Sequence, residues 1–264
     1  MTNKGGILLK KRISEELMKI EETYQVKILY ACESGSRAWG FPSKDSDYDV
    51  RFIYIHSKDW YLSIDQKRDV IELPINDLLD MNGWELTKAL RLFRKSNPSL
   101  LEWLNSSIVY YQAYSTIEKM KSLSSQVFVP TASMYHYLNM GKRNFHNFME
   151  KEYVKIKKYF YVLRPMLACK WIETYNTFPP IEFAVLLEQM IQEDEIKTSI
   201  SQLLERKQHG DESDQELRND LLYHYLKKEM AHLTDFAHTL NSKVVDPTDK
   251  LNHLFRETLD EVWG

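Results

Sequence analysis

The run Val26-Lys-Ile-Leu-Tyr-Ala-Cys32, Glu33-Ser-Gly-Ser-Arg-Ala-Trp-Gly40, Phe41-Pro-Ser-Lys-Asp-Ser-Asp-Tyr-Asp-Val50 and Arg51-Phe-Ile-Tyr-Ile55 decides the fold. An apolar stretch over 26–32 reads as a strand, a small-residue turn follows, and a second strand spans 48–55. Ser36 to Trp39 reads as the start of a short helix. Asp47 and Asp49 stand at alternate positions, so their side chains share one strand face. They lie beside a turn rich in backbone N–H groups, ten residues after Gly35-Ser36. Carboxylates for Mg²⁺ next to amides for phosphate are the parts that nucleotidyl transfer needs.

Each residue type has a task in that chemistry. Gly35 lets the backbone approach a phosphate, and Ser36 adds an N–H and a hydroxyl at a helix start. Arg37 offers several donors to a phosphate. Asp47 and Asp49 would bridge Mg²⁺ carried with the nucleotide, and two ions would stabilise the attacking and leaving oxygens. Arg51 falls on the same strand face. It would neutralise the aspartates without metal, and contact phosphate or acceptor with metal. Asp-x-Asp alone is a weak motif, and Asp45, Ser46 and Asp47 also read as a solvated turn. The ordered set of strand, Gly-Ser, gap, Asp-x-Asp and strand is what favours the functional reading.

The rest of the 264-residue chain sets bounds. An apolar fraction of 43% supports packed cores, and a net charge of −3 excludes a global basic field for nucleic acid. Two cysteines, Cys32 and Cys169, make no disulfide framework and suit a reducing cytoplasm. Cys32 reads as a small buried hydrophobe rather than a nucleophile. No run approaches the roughly 18 apolar residues of a membrane span, and the N-terminus lacks an apolar signal core, so a cytoplasmic protein is expected. The eight histidines show no zinc-ligand spacing.

Around the central run, Leu9, Ile13, Leu17, Ile20 and Tyr24 recur at helical spacing and predict an opening helix. A short helix is expected near 59–64, a third strand over 69–75, a turn at Asn76-Asp77 and a fourth strand over 78–81. Everything after residue 82 reads as helical, with helices at 98–104, 130–149, 154–175, 180–206, 214–241 and a last one opened by Asp246-Pro247. The polar stretch 208–215 reads as an exposed loop. The fold class is therefore α+β: a small mixed-sheet domain over 1–110, then an all-helical domain over 111–264 that contributes to the cleft. Ile156, Phe160, Leu163, Leu167 and Trp171 form a core stripe on one helix. Beside them Lys157, Lys158, Tyr161 and Arg164 make either a cationic patch for a triphosphate or base, or lysines and arginines snorkelling over core edges. Pro165 inside that helix implies a kink.

At Gly35-Ser36 and Asp47-Tyr-Asp49 the chain resembles the DNA polymerase β nucleotidyltransferase superfamily. Gly35-Ser36-Arg-Ala-Trp-Gly40 with Ser46-Asp47-Tyr-Asp49-Val-Arg51 is similar to one subgroup, the bacterial and phage predicted nucleotidyltransferases associated in some genomes with RNA ligases. The likeness continues through Leu79-Asp-Met-Asn-Gly-Trp-Glu-Leu86, Lys88-Ala-Leu-Arg-Leu92, Ser96-Asn-Pro98, Leu101-Glu-Trp103 and Lys158-Tyr-Phe-Tyr-Val-Leu-Arg-Pro165. It implies a nucleotidyltransferase core, Mg²⁺, and an NTP, with ATP the expected donor. It also implies a third acid from a neighbouring strand, which would orient or deprotonate the acceptor. Asp80 is preferred for that role over Glu72, and Asp77 reads as a turn former. The resemblance tips Lys158, Tyr161 and Arg164 toward nucleotide contacts.

The leading expectation is thus Mg²⁺-dependent transfer of NMP from NTP to an acceptor hydroxyl with pyrophosphate release. An RNA end, a protein or a small molecule would serve as acceptor. A nucleotide-binding regulatory module, or an antitoxin-like partner protein without turnover, is the alternative.

Overall fold

A computed structural model describes residues 3–75, 79–210, 214–241 and 245–264. The expected Asn76-Asp77 turn, with Asp77 as turn former, lies outside these residues, as do Leu78 at the expected start of the fourth strand and positions 211–213 of the expected polar loop.

The first half is a sheet with helices on both faces. Its elements are α1 (Asn3–Tyr24), β1 (Val26–Glu33), α2 (Gly35–Ala38), β2 (Tyr48–His56), α3 (Lys58–Tyr61), β3 (Val70–Glu72), β4 (Leu79–Glu85), α4 (Leu86–Arg94), α5 (Pro98–Leu104) and β5 (Val109–Gln112). Strand order is β3-β4-β2-β1-β5, with β2 and β4 parallel and the other neighbours antiparallel. Alternation along β2 divides the core. Val50, Phe52 and Tyr54 pack with Ile13, Leu17 and Ile20 of α1, while Ile53 and Ile55 pack with Leu86, Leu90 and Phe93 of α4. Asp49 and Arg51 lie on the second face, at the end of β2 that precedes its apolar run. Each fully buried Ile or Phe contributes about 1.5–3 kcal/mol, so both faces favour a single strand register.

Downstream come α6 (Thr116–Val127), α7 (Pro130–Asn144), a π-helical turn (Phe145–Met149), β6 (Tyr153–Lys155), α8 (Ile156–Tyr175), α9 (Phe183–Met190), α10 (Asp194–His209), β7 (Gln215–Leu217), α11 (Asp220–Thr239) and α12 (Thr248–Trp263). Helices α7, α8, α9, α10 and α11 share one apolar core around Phe160 and Leu163. Helix α12 returns to the sheet half, where Leu251 and Leu254 join the core of α4 and α6. The α+β class with a helical C-terminal part holds. No helix among the described residues is long and apolar enough to cross a membrane.

Three expectations are corrected. Residues after 82 are not all helical: β5 completes the sheet edge, and β6 pairs with β7 in a separate two-stranded ladder. The expected helix over 180–206 is two helices, because buried Ile191 is extended at the break and α10 restarts with Asp194 and Glu195 in its first turn. The third strand is shorter, confined to Val70–Glu72. Helix α8 runs through Pro165, as the periodicity over 154–175 implies.

Candidate active site

The turn after β1 is shaped by contact with Asp49. Gly35 has φ +61°, a left-handed conformation that favours glycine, and a Cβ there would stand 2.1 Å from Asp49 Oδ2. The carboxylate therefore rests directly on the Gly35 backbone. From below, Asp49 N–H donates to Glu33 Oε1 at 2.8 Å, and Ser34 N–H donates to the Asp49 carbonyl at 2.8 Å. Glu33 is fully buried, and Tyr110 of β5 donates its hydroxyl to the second carboxylate oxygen. Burial pushes the Glu33 carboxyl above its usual range, against the lowering effect of the Tyr110 and Asp49 hydrogen bonds.

Parallel pairing of β2 with β4 places Asp80 directly beside Asp49. Arg51 joins them: its Nη2 donates to Asp49 Oδ1 and to Asp80 Oδ2, each at 2.8 Å, and its Nη1 donates to the Asp80 carbonyl at 3.0 Å. Two carboxylates thus share one guanidinium. Desolvation raises the Asp49 pKa; Arg51 opposes the shift, and the charges of Asp80 and Asp47 add to it. Glu72, the other candidate third acid, lies one strand further out. It pairs with Asn82 across β3–β4, accepts Asn82 Nδ2 at 3.2 Å, and meets Arg68.

Asp47 sits just ahead of β2 with its side chain exposed, outside the Arg51 cluster. Its backbone is held. Arg37 donates from Nε to the Asp47 carbonyl at 3.1 Å and from Nη2 to the Ser46 carbonyl at 2.7 Å, with its guanidinium 3.6 Å from the Tyr48 ring centroid. In this state Arg37 shapes the loop that presents Asp47. Ser36 accepts the Phe41 N–H on its carbonyl, which closes the turn.

The expected trio on α8 separates. Lys158 and Tyr161 stay together, the ammonium 4.6 Å from the Tyr161 ring centroid and 4.2 Å from that of Phe148. Arg164 turns inward instead. It is 4% exposed, donates to Glu102 Oε1 at 2.9 Å and lies 4.3 Å from the Trp39 ring centroid. Glu102 also accepts from Tyr137 at 2.7 Å and from Trp39 Nε1 at 3.3 Å. Arg164 lies one helical turn from buried Phe160, so it faces the core rather than a solvent cleft.

Among the described residues no group of three His, Cys, Asp or Glu side chains converges as a ready metal cage. The donor chemistry of the pair still suits a hard divalent cation: two half-exposed carboxylate side chains in register, with Arg51 marking where positive charge is stabilised. No motif gave Glu33, Tyr110 or Glu102 a role, although Glu102 lies within the Leu101-Glu-Trp103 part of the resemblance. Glu33 directly follows the largely apolar run Val26–Cys32, and Glu102 stands alone inside the apolar run Leu100–Leu104, the signal for a buried, partnered acid.

A family model described as RlaP, RNA repair pathway DNA polymerase beta family, matches residues 9–257. The chain belongs to this family. A Bacillus subtilis (strain 168) protein, named uncharacterized protein YcgL, is 54% identical over 255 residues, covering 97% of this chain and 98% of that protein. A solved nucleotidyltransferase-like protein from Exiguobacterium sibiricum 255-15 aligns with a TM-score of 0.34 at 12% identity, covering 96% of this chain and 81% of that one. Membership bears out the resemblance carried by Gly35-Ser36 and Asp47-Tyr-Asp49, and places the chain among polymerase β-type nucleotidyltransferase proteins.

Proposed function

We propose that the protein transfers an NMP from an NTP, with ATP the expected donor, to a terminal hydroxyl of RNA, releasing pyrophosphate. The observation that carries this reading is the register of Asp49 with Asp80, both bound by Arg51, against the Gly35 turn. The family's RNA-repair description supports an RNA end over a protein or metabolite as acceptor.

Asp49 and Asp80, with Asp47 at the strand entrance, would hold Mg²⁺, which when bound neutralises triphosphate charge. The chain's own groups do the rest. The Gly35–Ser36 turn lets phosphate oxygens approach the backbone. Arg51, released from the carboxylates, is a cation for the phosphates. Asp80, freed of Arg51, would accept or orient the acceptor hydroxyl's proton. Lys158 and Tyr161 offer a cation and a ring to the nucleotide.

Incubating the purified protein with each α-labelled NTP and separate pools of cellular RNA, protein and metabolites tests the reading. Label in RNA, lost in Asp47→Ala, is the expected result. Label in another pool rejects the RNA acceptor, and nucleotide binding with no label in any pool favours a regulatory module.

A further inference from the structure

Within the ten residues between the Gly35-Ser36 turn and Asp47, Trp39, Phe41 and Ser43 contact the helical half. Phe41 is fully buried between Phe160 of α8 and Phe183 of α9, with ring centroids 5.1 and 5.3 Å away. The Trp39 carbonyl accepts the Phe183 N–H at 2.9 Å. From α10, Lys207 reaches into the same loop. Its Nζ donates to the Phe41 carbonyl at 3.0 Å and to Ser43 Oγ at 2.9 Å, and the residue is 4% exposed. Ser43 N–H in turn donates to buried Ser46 Oγ at 2.9 Å, and the Ser46 carbonyl is the acceptor that Arg37 clamps beside Asp47. A continuous series of hydrogen bonds therefore runs from α10 to the backbone that presents Asp47.

A lysine is an expensive way to fill such a space, because a buried ammonium loses its hydration and must find acceptors. Methionine would supply similar volume with no charge. What the ammonium adds is direction: it ties a carbonyl and a hydroxyl of one loop to one point. We propose that Lys207 is a positioning residue, through which the helical half sets the loop carrying Asp47 and so the affinity of the carboxylate site for a divalent cation. The proposal rests on the cation-and-nucleotide reading of that site.

Lys207→Met and the milder Ser43→Ala, each in the full chain, test it by three measurements: Mn²⁺ affinity by calorimetry, amide hydrogen exchange across 41–49, and exchange across α7 and α8. Lys207→Met should speed exchange across 41–49 while α7 and α8 keep their protection. It should also weaken Mn²⁺ binding by about tenfold, the size expected for loss of a group that orients a ligand. Ser43→Ala should move both readouts in the same direction, and carries the test if Lys207→Met does not fold. In an Asp47→Ala background, Lys207→Met should have little further effect on Mn²⁺. Wild-type Mn²⁺ affinity in both variants overturns the proposal, as does loss of protection spread evenly over α7, α8 and 41–49. If the wild-type protein itself binds no Mn²⁺, the cation-site reading fails and the proposal falls with it; that outcome is distinct from binding that the variants leave intact.

Discussion

Asp49 is held from three sides: by Arg51 on its carboxylate, by Gly35 against Oδ2, and by Glu33 on its N–H. A side chain at position 35 would therefore act twice. It would strain a left-handed backbone, at about 1–2 kcal/mol, and push the carboxylate away. Gly35→Ala should fold but lose at least about tenfold in Mn²⁺ affinity, as measured by calorimetry. The raised Asp49 pKa gives a second outcome with a definite sign. Cation binding needs the carboxylate, so Mn²⁺ affinity should fall with falling pH through a midpoint above the ordinary 3.8. Stability without metal runs the other way. A raised folded-state pKa means the native state binds the proton more tightly, so this group's contribution is full below 3.8 and is lost as pH rises through the folded value. Calorimetric Mn²⁺ titrations and metal-free chemical denaturation at several pH values check the two trends, each of which should be shallower in Asp49→Asn. At this scale the motif residues were legible in the sequence. The buried supports were not, because Glu33 and Tyr110 meet only through the pairing of β1 with β5, 77 residues apart.

At the scale of elements, register decides which acid joins Asp49. Alternation in the sequence left Asp80 and Glu72 both open, since each stands between apolar neighbours. Parallel pairing of β2 with β4 brings Asp80 alongside, and antiparallel pairing of β3 puts Glu72 opposite Asn82. The same register sets Gly83 against Phe52, where an added Cβ would lie 2.1 Å from the ring. Phe52 is fully buried and has nowhere to move. Gly83→Ala should cost about 1–3 kcal/mol by overpacking, read as a lower denaturant midpoint. Phe52→Leu in the same chain should recover part of that loss. Long periodic elements such as α1, β1, β2 and α8 were readable, because one buried face repeats over many residues. Four-residue β5 and three-residue β6 and β7 were not, since such short strands show no period and form only when distant partners arrive.

Across the whole molecule, the sheet half and the helical half meet at Glu102, Trp39, Tyr137 and Arg164. This is a buried ion pair, with side-chain exposures of 4% for Arg164 and 13% for Glu102. Removing the charge of Glu102 leaves a guanidinium without its counter-ion. Glu102→Gln should destabilise the protein by about 3–5 kcal/mol in chemical denaturation, and Arg164→Met in that background should restore part of it. The sequence showed Arg164 in one patch with Lys157, Lys158 and Tyr161; only the packing of α8 on Trp39 and Phe41 turns it away from Lys158 and Tyr161.

The central claim is that Asp49 and Asp80 form one centre for nucleotidyl transfer. Its most direct test is release of unlabelled pyrophosphate from the NTP, assayed as pyrophosphate in the presence of whichever pool accepts the α-label, by wild-type protein and by Asp80→Asn. The account predicts release by the wild type and none above background by the variant, with nucleotide binding largely retained through Asp47 and Asp49. An Asp80→Asn protein that releases pyrophosphate at the wild-type rate would contradict it.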